Sequence, residues 1–404
     1  MSPANQETPV VIVNDFGYVE GGAAAVAVRT ALLLAGEDGK VIFFCGEGPV
    51  CDELVDSDVE TVCLGAHSIN SNPSKLAAVR DGIWNARAYD AFKELLGRSD
   101  LRGAIVHVHT WTKVLSSAVF AAATESGNPL LLTVHDYFSV CPNGGFYDYR
   151  RKRICELAPM SGACVRCNCD KRSYAQKIWR VARQAKQDRW VRYNPKVRYA
   201  FVSEYCRDIL APFLHSDYPY EVLHNPVDHI DFRDAERERD AFVFIGRVSP
   251  EKGADLFCEA VTAIGAKGIV IGDGEMLPEL KAKFPHVDFT GWLKPGEMRL
   301  HGTDRAIAMV QPSRLHETAM LTPLQMLEHG VPCIVPDRCA ASAYVQNGVN
   351  GLLFKTGDVE DLERAMREML ERPLNPEPMT ITDEGYLRDL AALYERLGQT
   401  ASLA

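Results

Sequence analysis

Glu317 lies in the stretch 311–330, QPSRLHETAMLTPLQMLEHG, whose residue types suit the handling of hydroxyl groups and phosphate. An apolar run, 306–310, ends at Pro312 and Ser313, a loop carries Glu317, and Pro323 to Glu328 reads as a helix that stops before Gly330 and Pro332. A helix start offers unpaired backbone amides and a positive dipole end, which suits a bound phosphate, while a loop carboxylate accepts hydrogen bonds from hydroxyls. Phosphate and polyol together point to a sugar nucleotide as ligand.

Three further groups could do chemistry. His107, His109, His135 and Asp136 fall at the carboxyl ends of the apolar runs 104–109 and 130–135, where doubly wound sheets bind their ligands. His107 and His109 alternate on one strand and share a face, and a satisfied core histidine in the pair is the alternative to two ligand-facing ones. Gly21 and Gly22 close a loop between the apolar run 10–13 and the apolar helix 23–34, a strand, turn and helix that can cradle phosphate. With Gly17 they lack the G-x-G-x-x-G spacing of a dinucleotide site, which disfavours a nicotinamide enzyme. Cys155, Cys164, Cys167 and Cys169 fall within fifteen residues, with Cys141 just upstream. Their spacing allows a structural zinc site, although the closing C-x-C is not the usual ribbon pattern. A redox-sensitive pair and plain reduced thiols in a packed loop are the alternatives.

The elements that must position these groups alternate along the chain. Short apolar runs at 10–13, 41–45, 59–64, 104–109 and 130–135 are separated by helix-like stretches at 23–34, 76–96 and 113–123. Runs at 242–245, 268–272, 287–293, 306–310, 333–335 and 351–354 repeat the scheme in the second half, with a helix at 359–370. This is the pattern of α/β domains with parallel sheets covered on both faces. At 404 residues the length favours two such domains. The expected boundaries are 1–228 for the first, with a Cys-containing insertion at about 141–196, and 229–382 for the second, with 383–404 as a terminal helix that crosses back to the first domain. The charged stretch 233–240 reads as the linker.

Charge is unevenly spread. The chain carries a net charge of −10, yet Arg150 to Arg198 holds fifteen Lys and Arg against Glu156, Asp170 and Asp188, a balance of +12. Tyr174–Tyr193 reads as a basic amphipathic helix with Tyr174, Ile178, Val181, Ala182 and Ala185 on one face and Trp179 and Trp190 beside the cations. Such a helix suits an anionic membrane surface or a lipid diphosphate; a solvated charged face over an ordinary apolar contact is the plainer alternative. The acidic total and the lack of an RNA or DNA module disfavour nucleic acid. No run of about twenty apolar residues exists, and the first residues do not resemble a signal peptide, so a cytoplasmic protein is expected.

Glu317, Gln325 eight residues on, Gly330, Pro332 and the strand 333–335 resemble the donor-site motif of family 4 glycosyltransferases, retaining enzymes of the GT-B fold. That family has glutamates at both positions, the first facing the donor sugar hydroxyls and the second the ribose, and glycines where this chain has Thr318 and Met320. The resemblance extends over nearly the whole chain. It implies two facing Rossmann-like domains with an interdomain donor cleft. It makes Gly246, Arg247 and Lys252 of GRVSPEKG the group that binds the donor diphosphate, and two fixed cations there can replace a metal ion as charge builds on the leaving group. It also assigns backbone amides near Met320 and Leu321 to the diphosphate, Gly272 and Trp292 to the base-binding wall, Gly21 and Gly22 to the diphosphate from the N-terminal side, and His135 to the space between donor and acceptor.

The activity implied is metal-independent, hexosyltransferase-type transfer from a UDP- or GDP-sugar to a glycan or lipid-diphosphate-linked acceptor, as in bacterial surface-polysaccharide synthesis. His107, His109 and Asp136 would then lie on the acceptor side. Two rivals stand beside it: a noncatalytic GT-B partner of another transferase, and a GT-B epimerase or hydrolase of sugar nucleotides.

Overall fold

The computed structural model describes residues 8–37, 39–227, 239–293, 295–298 and 303–401, in two compact units. Unit 1 comprises Met1–Gly145, Leu157–Pro226 and Thr382–Ala404; unit 2 comprises Phe146–Glu156 and Val227–Ile381. The expected boundary at 228/229 and residues 233–238 of the expected linker lie outside the described residues. The insertion expected at 141–196 is divided, because its segment Phe146–Glu156 groups with unit 2.

Unit 1 is built on a seven-stranded sheet in the order β3-β2-β1-β4-β5-β8-β9, with every pairing parallel. Its strands are β1 (Val10–Phe16), β2 (Val41–Glu47), β3 (Glu60–Cys63), β4 (Ile105–Val108), β5 (Leu130–Val134), β8 (Val197–Phe201) and β9 (Glu221–Val222). Unit 2 holds a six-stranded parallel sheet in the order β12-β11-β10-β13-β14-β15. These strands are β10 (Ala241–Ile245), β11 (Lys267–Ile271), β12 (Asp288–Gly291), β13 (Ala306–Val310), β14 (Cys333–Pro336) and β15 (Gly351–Phe354). The remaining pair, β6 (Tyr147–Asp148) and β7 (Arg153–Ile154), is a short antiparallel hairpin of unit 2.

The inner strands β2, β5, β10 and β13 are largely apolar because both faces of each sheet are covered. Along β10, Phe242 and Phe244 enter one core while Ala241, Val243 and Ile245 enter another. The terminal helix Asp383–Ala401 completes unit 1 by placing Tyr386, Leu390, Leu393, Tyr394 and Leu397 in the core with Val10, Ile12 and Ile105. Its start is held by Arg29 Nη2 on Asp383 Oδ2 at 2.6 Å, and Tyr386 shares a 2.7 Å hydrogen bond with Thr30.

Two expected helices differ in the structure. The stretch 76–96 breaks into Lys75–Ile83 and Ala86–Leu96, because Asn85 leaves the helical conformation and its side chain caps the second helix by accepting from Ala88 N at 3.0 Å. The helix expected from residue 113 starts only at Ala118, since the amides of Lys113, Val114 and Leu115 all donate to the Asp15 carboxylate.

The basic helix spans Tyr174–Asp188 and is turned the other way from an ordinary amphipathic helix. Lys177, Arg183, Gln184, Gln187 and Asp188 face inward, while Tyr174, Ile178, Ala182 and Ala185 are exposed. The cause is the irregular loop 138–142, whose carbonyls have no strand partner and need donors. Gln187 Nε2 reaches Phe138 O at 2.6 Å, Gln184 Nε2 reaches Ser139 O at 3.2 Å and Arg183 Nη2 reaches Pro142 O at 3.3 Å. Arg183 is also stacked on Phe138 and Trp179. The plainer expectation, an apolar face packed inward beneath a solvated charged one, is therefore overturned. Among the described residues no helix is long and apolar enough to cross a membrane.

Candidate active site

In a sheet whose strand order reverses, the crevice opens beyond the carboxyl ends of the two strands at the switch. In unit 2 that pair is β10 and β13, and the loops that follow them carry Gly246, Arg247 and Lys252 on one side and Glu317 on the other. The two loops interlock closely. Gly253 has φ +75°, and a Cβ there would stand 1.9 Å from Pro312 O; on Gly272 (φ +142°) it would stand 1.9 Å from Gly246 O. Only glycine fits either place.

Lys252 Nζ donates to Glu317 Oε1 at 2.7 Å, and the fully buried Ser313 hydroxyl donates to the same oxygen at 2.6 Å. Both bonds fall on Oε1, so the carboxylate is pinned through one oxygen while Oε2 has no partner among the described residues. Arg314 fastens the loop from behind with a two-pronged pair to Asp255, at 2.7 and 2.9 Å, and a bond to Pro250 O at 2.6 Å. Arg247 is exposed; its carbonyl accepts from Ser249 N at 2.9 Å, and its guanidinium makes no hydrogen bond or ion pair among the described residues. Ser249 Oγ, Glu251 Oε2 and Gln311 Oε1, all in the same two loops, are buried without a hydrogen-bond partner. Unpaired buried acceptors are costly and mark a place where a ligand can supply the missing donor.

Met320 has φ 55°, the left-handed region, and N-caps the helix Leu321–Glu328. This conformation is open to glycine and strained for methionine. Tyr344 holds it in place, its hydroxyl lying 2.8 Å from Met320 O and 3.1 Å from Ala319 O. The first-turn amides of that helix have no intrahelical partner. Gln325, on its second turn, is half-buried. His316, next to Glu317, is held neutral, with burial and then Arg338 pushing it down to about 4. Trp292 is 67% exposed, so it is not a core residue.

The corresponding switch in unit 1 lies between β1 and β4. Gly21 (φ +92°) and Gly22 are exposed at the start of the helix Gly22–Gly36. His109 Nδ1 is 2.9 Å from His135 Nε2, and the two rings stack with centroids 5.2 Å apart. His109 Nε2 is buried without a hydrogen-bond partner. Burial pushes His107 and His135 down to about 3 and His109 well below its ordinary value, so neutral imidazoles line this end of the sheet. Asp136, which accepts from Phe138 N at 2.9 Å, is pushed up to about 6 by burial.

One expectation is corrected here. His107 is a core residue: fully buried, it bonds Tyr394 OH at 2.7 Å through Nδ1 and Thr133 Oγ1 at 2.6 Å through Nε2, so no nitrogen is left for an acceptor. Of the cysteine set, Cys164, Cys167 and Cys169 belong to unit 1 and Cys155 to unit 2. Among the described residues no three His, Cys, Asp or Glu side chains are placed to hold a metal ion. The buried Lys177 ammonium stands among the thiols, 3.6 Å from Cys164 Sγ and hydrogen-bonded to Cys169, while Asn143 Nδ2 donates to Cys169 Sγ at 3.1 Å.

Sequence reading missed Ser313, Arg314, Asp255 and Tyr344. The first three were within reach, because Ser313-Arg314 directly precedes the Glu317 loop and Asp255 opens the helix after Lys252. Tyr344 had no signal.

Comparison with known proteins bears on the same residues. A family model described as Glycosyltransferase Family 4 matches residues 20–230, just over half the chain, and one described as Glycosyl transferases group 1 matches residues 239–372. The sulfoquinovosyl transferase SQD2 of Arabidopsis thaliana is 29% identical over 150 residues, 35% of this chain and 28% of that protein. The match thus spans little more than a quarter of that relative's length. Among solved structures, sucrose-phosphate synthase from Thermosynechococcus elongatus superposes with a TM-score of 0.66 at 13% identity, covering 97% of this chain and 100% of that one. HepE of Anabaena, in complex with UDP and glucose, gives 0.60 at 13% identity, covering 98% and 95%. At such identities the likeness is one of fold.

Proposed function

From the premise that this chain belongs to glycosyltransferase family 4 and has the GT-B fold, we propose that it moves a hexosyl group from a nucleotide diphosphate sugar to a glycan or lipid-diphosphate-linked acceptor, with retention of anomeric configuration and without a metal ion. The observation that carries this reading is the state of Glu317: one carboxylate oxygen pinned by Lys252 and Ser313, the other open. A carboxylate fixed in this way presents one acceptor in a set direction, which orients a sugar hydroxyl without further ordering.

Each remaining residue takes a role by its position. Arg247 and Lys252, with the backbone amides of Met320 and Leu321, stabilise the diphosphate as it leaves. Gly246 and Gly272 admit the nucleotide close to the backbone, Trp292 stacks on its base, and Gln325 hydrogen-bonds the ribose. By the family resemblance Gly21 and Gly22 are assigned to the diphosphate, His135, neutral and backed by His109, to the reacting carbon, and Asp136 to the acceptor. The bond from the anomeric carbon to the phosphate oxygen breaks, the acceptor oxygen bonds on the same face, and its proton passes to the departing phosphate. That HepE is solved with UDP and glucose supports a UDP-sugar; a GDP-sugar is the other candidate. The setting of this reading is cytoplasmic synthesis of a surface polysaccharide, with the acceptor met at an anionic membrane surface through residues 174–193.

A second reading, a donor-binding partner without turnover, is favoured by Gln325, which has no charge to offer a ribose. Incubation with a panel of UDP- and GDP-sugars and lipid-linked or glycan acceptors, read by mass spectrometry and by NMR of the product anomer, separates the readings. Consumption of one donor with a retained anomer is expected. An inverted anomer ends the retaining mechanism, free sugar or an epimer without acceptor indicates the hydrolase or epimerase, and donor binding without consumption indicates the partner.

A further inference from the structure

Single exposed apolar side chains are ordinary, but grouped ones are not. Among the described residues ten large apolar side chains stand well exposed, and four of them lie on two helices that pack against each other: Leu76 (85%) and Val79 (48%) on Lys75–Ile83, Tyr174 (40%) and Ile178 (41%) on Tyr174–Asp188. The two helices are locked together. Trp179 Nε1 donates to Val79 O at 3.0 Å, and Gly82 makes room for the indole, since a Cβ there would stand 2.6 Å from it. Leu76 and Val79 are three residues apart and Tyr174 and Ile178 four apart, so each helix carries a stripe rather than scattered residues.

Charge is sorted around these stripes. The carboxylates of this region are paired: Asp170 with Arg180 at 2.8 Å and Asp188 with Arg192 at 3.7 Å, both turned inward, and Asp81 with its neighbour Arg80 at 2.8 Å. Lys171, Arg172, Lys186 and Arg189 remain on the outside. An outward apolar stripe with a cationic border complements a bilayer of anionic lipid, where the stripes enter the headgroup boundary and the cations stay at the phosphates. Lys186 and Arg189 lie over the rings of Trp84 and Trp190, at 4.4 and 4.9 Å, and neither is paired with a carboxylate among the described residues, so both charges remain to meet anionic headgroups.

We propose that the outer faces of the helices Lys75–Ile83 and Tyr174–Asp188 together form a docking surface for an anionic phospholipid bilayer, with Leu76 and Ile178 as the inserted side chains. The proposal deepens the membrane part of the preceding section and supplies the residues that carry it. Binding to vesicles needs neither donor nor turnover, so it fails or stands apart from the transferase reading.

The test is flotation of the whole protein with vesicles of phosphatidylcholine alone and of phosphatidylcholine mixed with phosphatidylglycerol. Binding to the mixture only, weakening as salt is raised, is expected. The pair Leu76→Glu and Ile178→Glu should lower partitioning about tenfold or more. The pair Lys186→Gln and Arg189→Gln should lower it roughly fivefold per cation. All four positions are exposed, and thermal melting confirms the fold; if the glutamate pair melts early, the glutamine pair carries the test. Equal binding to both vesicle types, no binding to either, or variants that float like the wild type overturn the proposal. So does a dimer on size exclusion that the glutamate pair dissolves, which would assign the face to a second copy.

Discussion

The loops after β10 and β13 and those after β1, β4 and β5 occupy the same place in two sheets of the same kind, yet they treat polar groups in opposite ways. In unit 2 the charges are kept accessible and partly unsatisfied: Arg247 is exposed, and Glu317 is held by one oxygen. In unit 1 the imidazoles are buried and neutral, His107 bonded at both nitrogens and His109 joined to His135. The first arrangement suits binding a charged leaving group; the second fixes a neutral surface and contributes to folding. Position at a strand end is therefore only half of a site, and the other half is what the rest of the chain leaves unpaired.

Substitutions in the Glu317 loop and its supports should cost turnover, and those at His107 and its partner Tyr394 should cost stability. Glu317→Ala is expected to lower donor turnover about a thousandfold or more with little change in unfolding, measured by mass spectrometry of donor loss. Lys252→Met should lower kcat about a hundredfold, because it removes a cation from the leaving diphosphate and one of the two bonds that pin Glu317. Ser313→Ala keeps the charge and removes the other bond, and a fall of about tenfold in kcat/KM is expected. If Ser313→Ala instead unfolds the protein, the division between the two regions is wrong.

In unit 1 the readout is denaturant unfolding. His107, His109 and His135 have folded values below 6.5, so the unfolded chain takes up protons that the folded chain refuses. Their contribution is complete above about pH 6.5 and is lost as pH falls toward 3. Asp136, raised to about 6, and Asp15, also raised, act oppositely: their contribution is complete below the ordinary value and is lost as pH rises through the folded one. Three imidazoles outweigh two carboxylates, so the protein should be roughly 1–3 kcal/mol less stable at about pH 5.5 than at about pH 7.5. The smallest effect is expected from Tyr394→Phe. It leaves His107 Nδ1 unpaired and should destabilise unit 1 by about 1–2 kcal/mol while donor affinity stays unchanged.

Much of this was legible in the sequence, and the misses share a cause. The alternation of apolar runs gave both parallel sheets, because strands buried on two faces have a composition that loops cannot imitate. The 311–330 stretch was readable because strand, loop and helix are contiguous. What pins Glu317 was not, since Ser313 and Arg314 also bond Glu251 and Asp255, 62 and 59 residues away. Which of His107 and His109 is satisfied in the core was hidden for the same reason: Tyr394, the partner of His107, lies 287 residues on. The periodicity of Tyr174–Asp188 gave its two faces correctly but not which one turns inward. That was decided by the carbonyls of the 138–142 loop, a demand visible only once the loop is folded.

The return of Asp383–Ala401 to unit 1 sets an order of events during synthesis. Residues 227–381, nearly all of unit 2, are made before the helix that covers β1 and β4 exists. Domains generally fold in the order in which they leave the ribosome. Here the first sheet begun is the last completed, and until Tyr394 is made His107 has one of its two partners missing. Over that interval the apolar strands β1 and β4 lack the helix whose side chains complete their core.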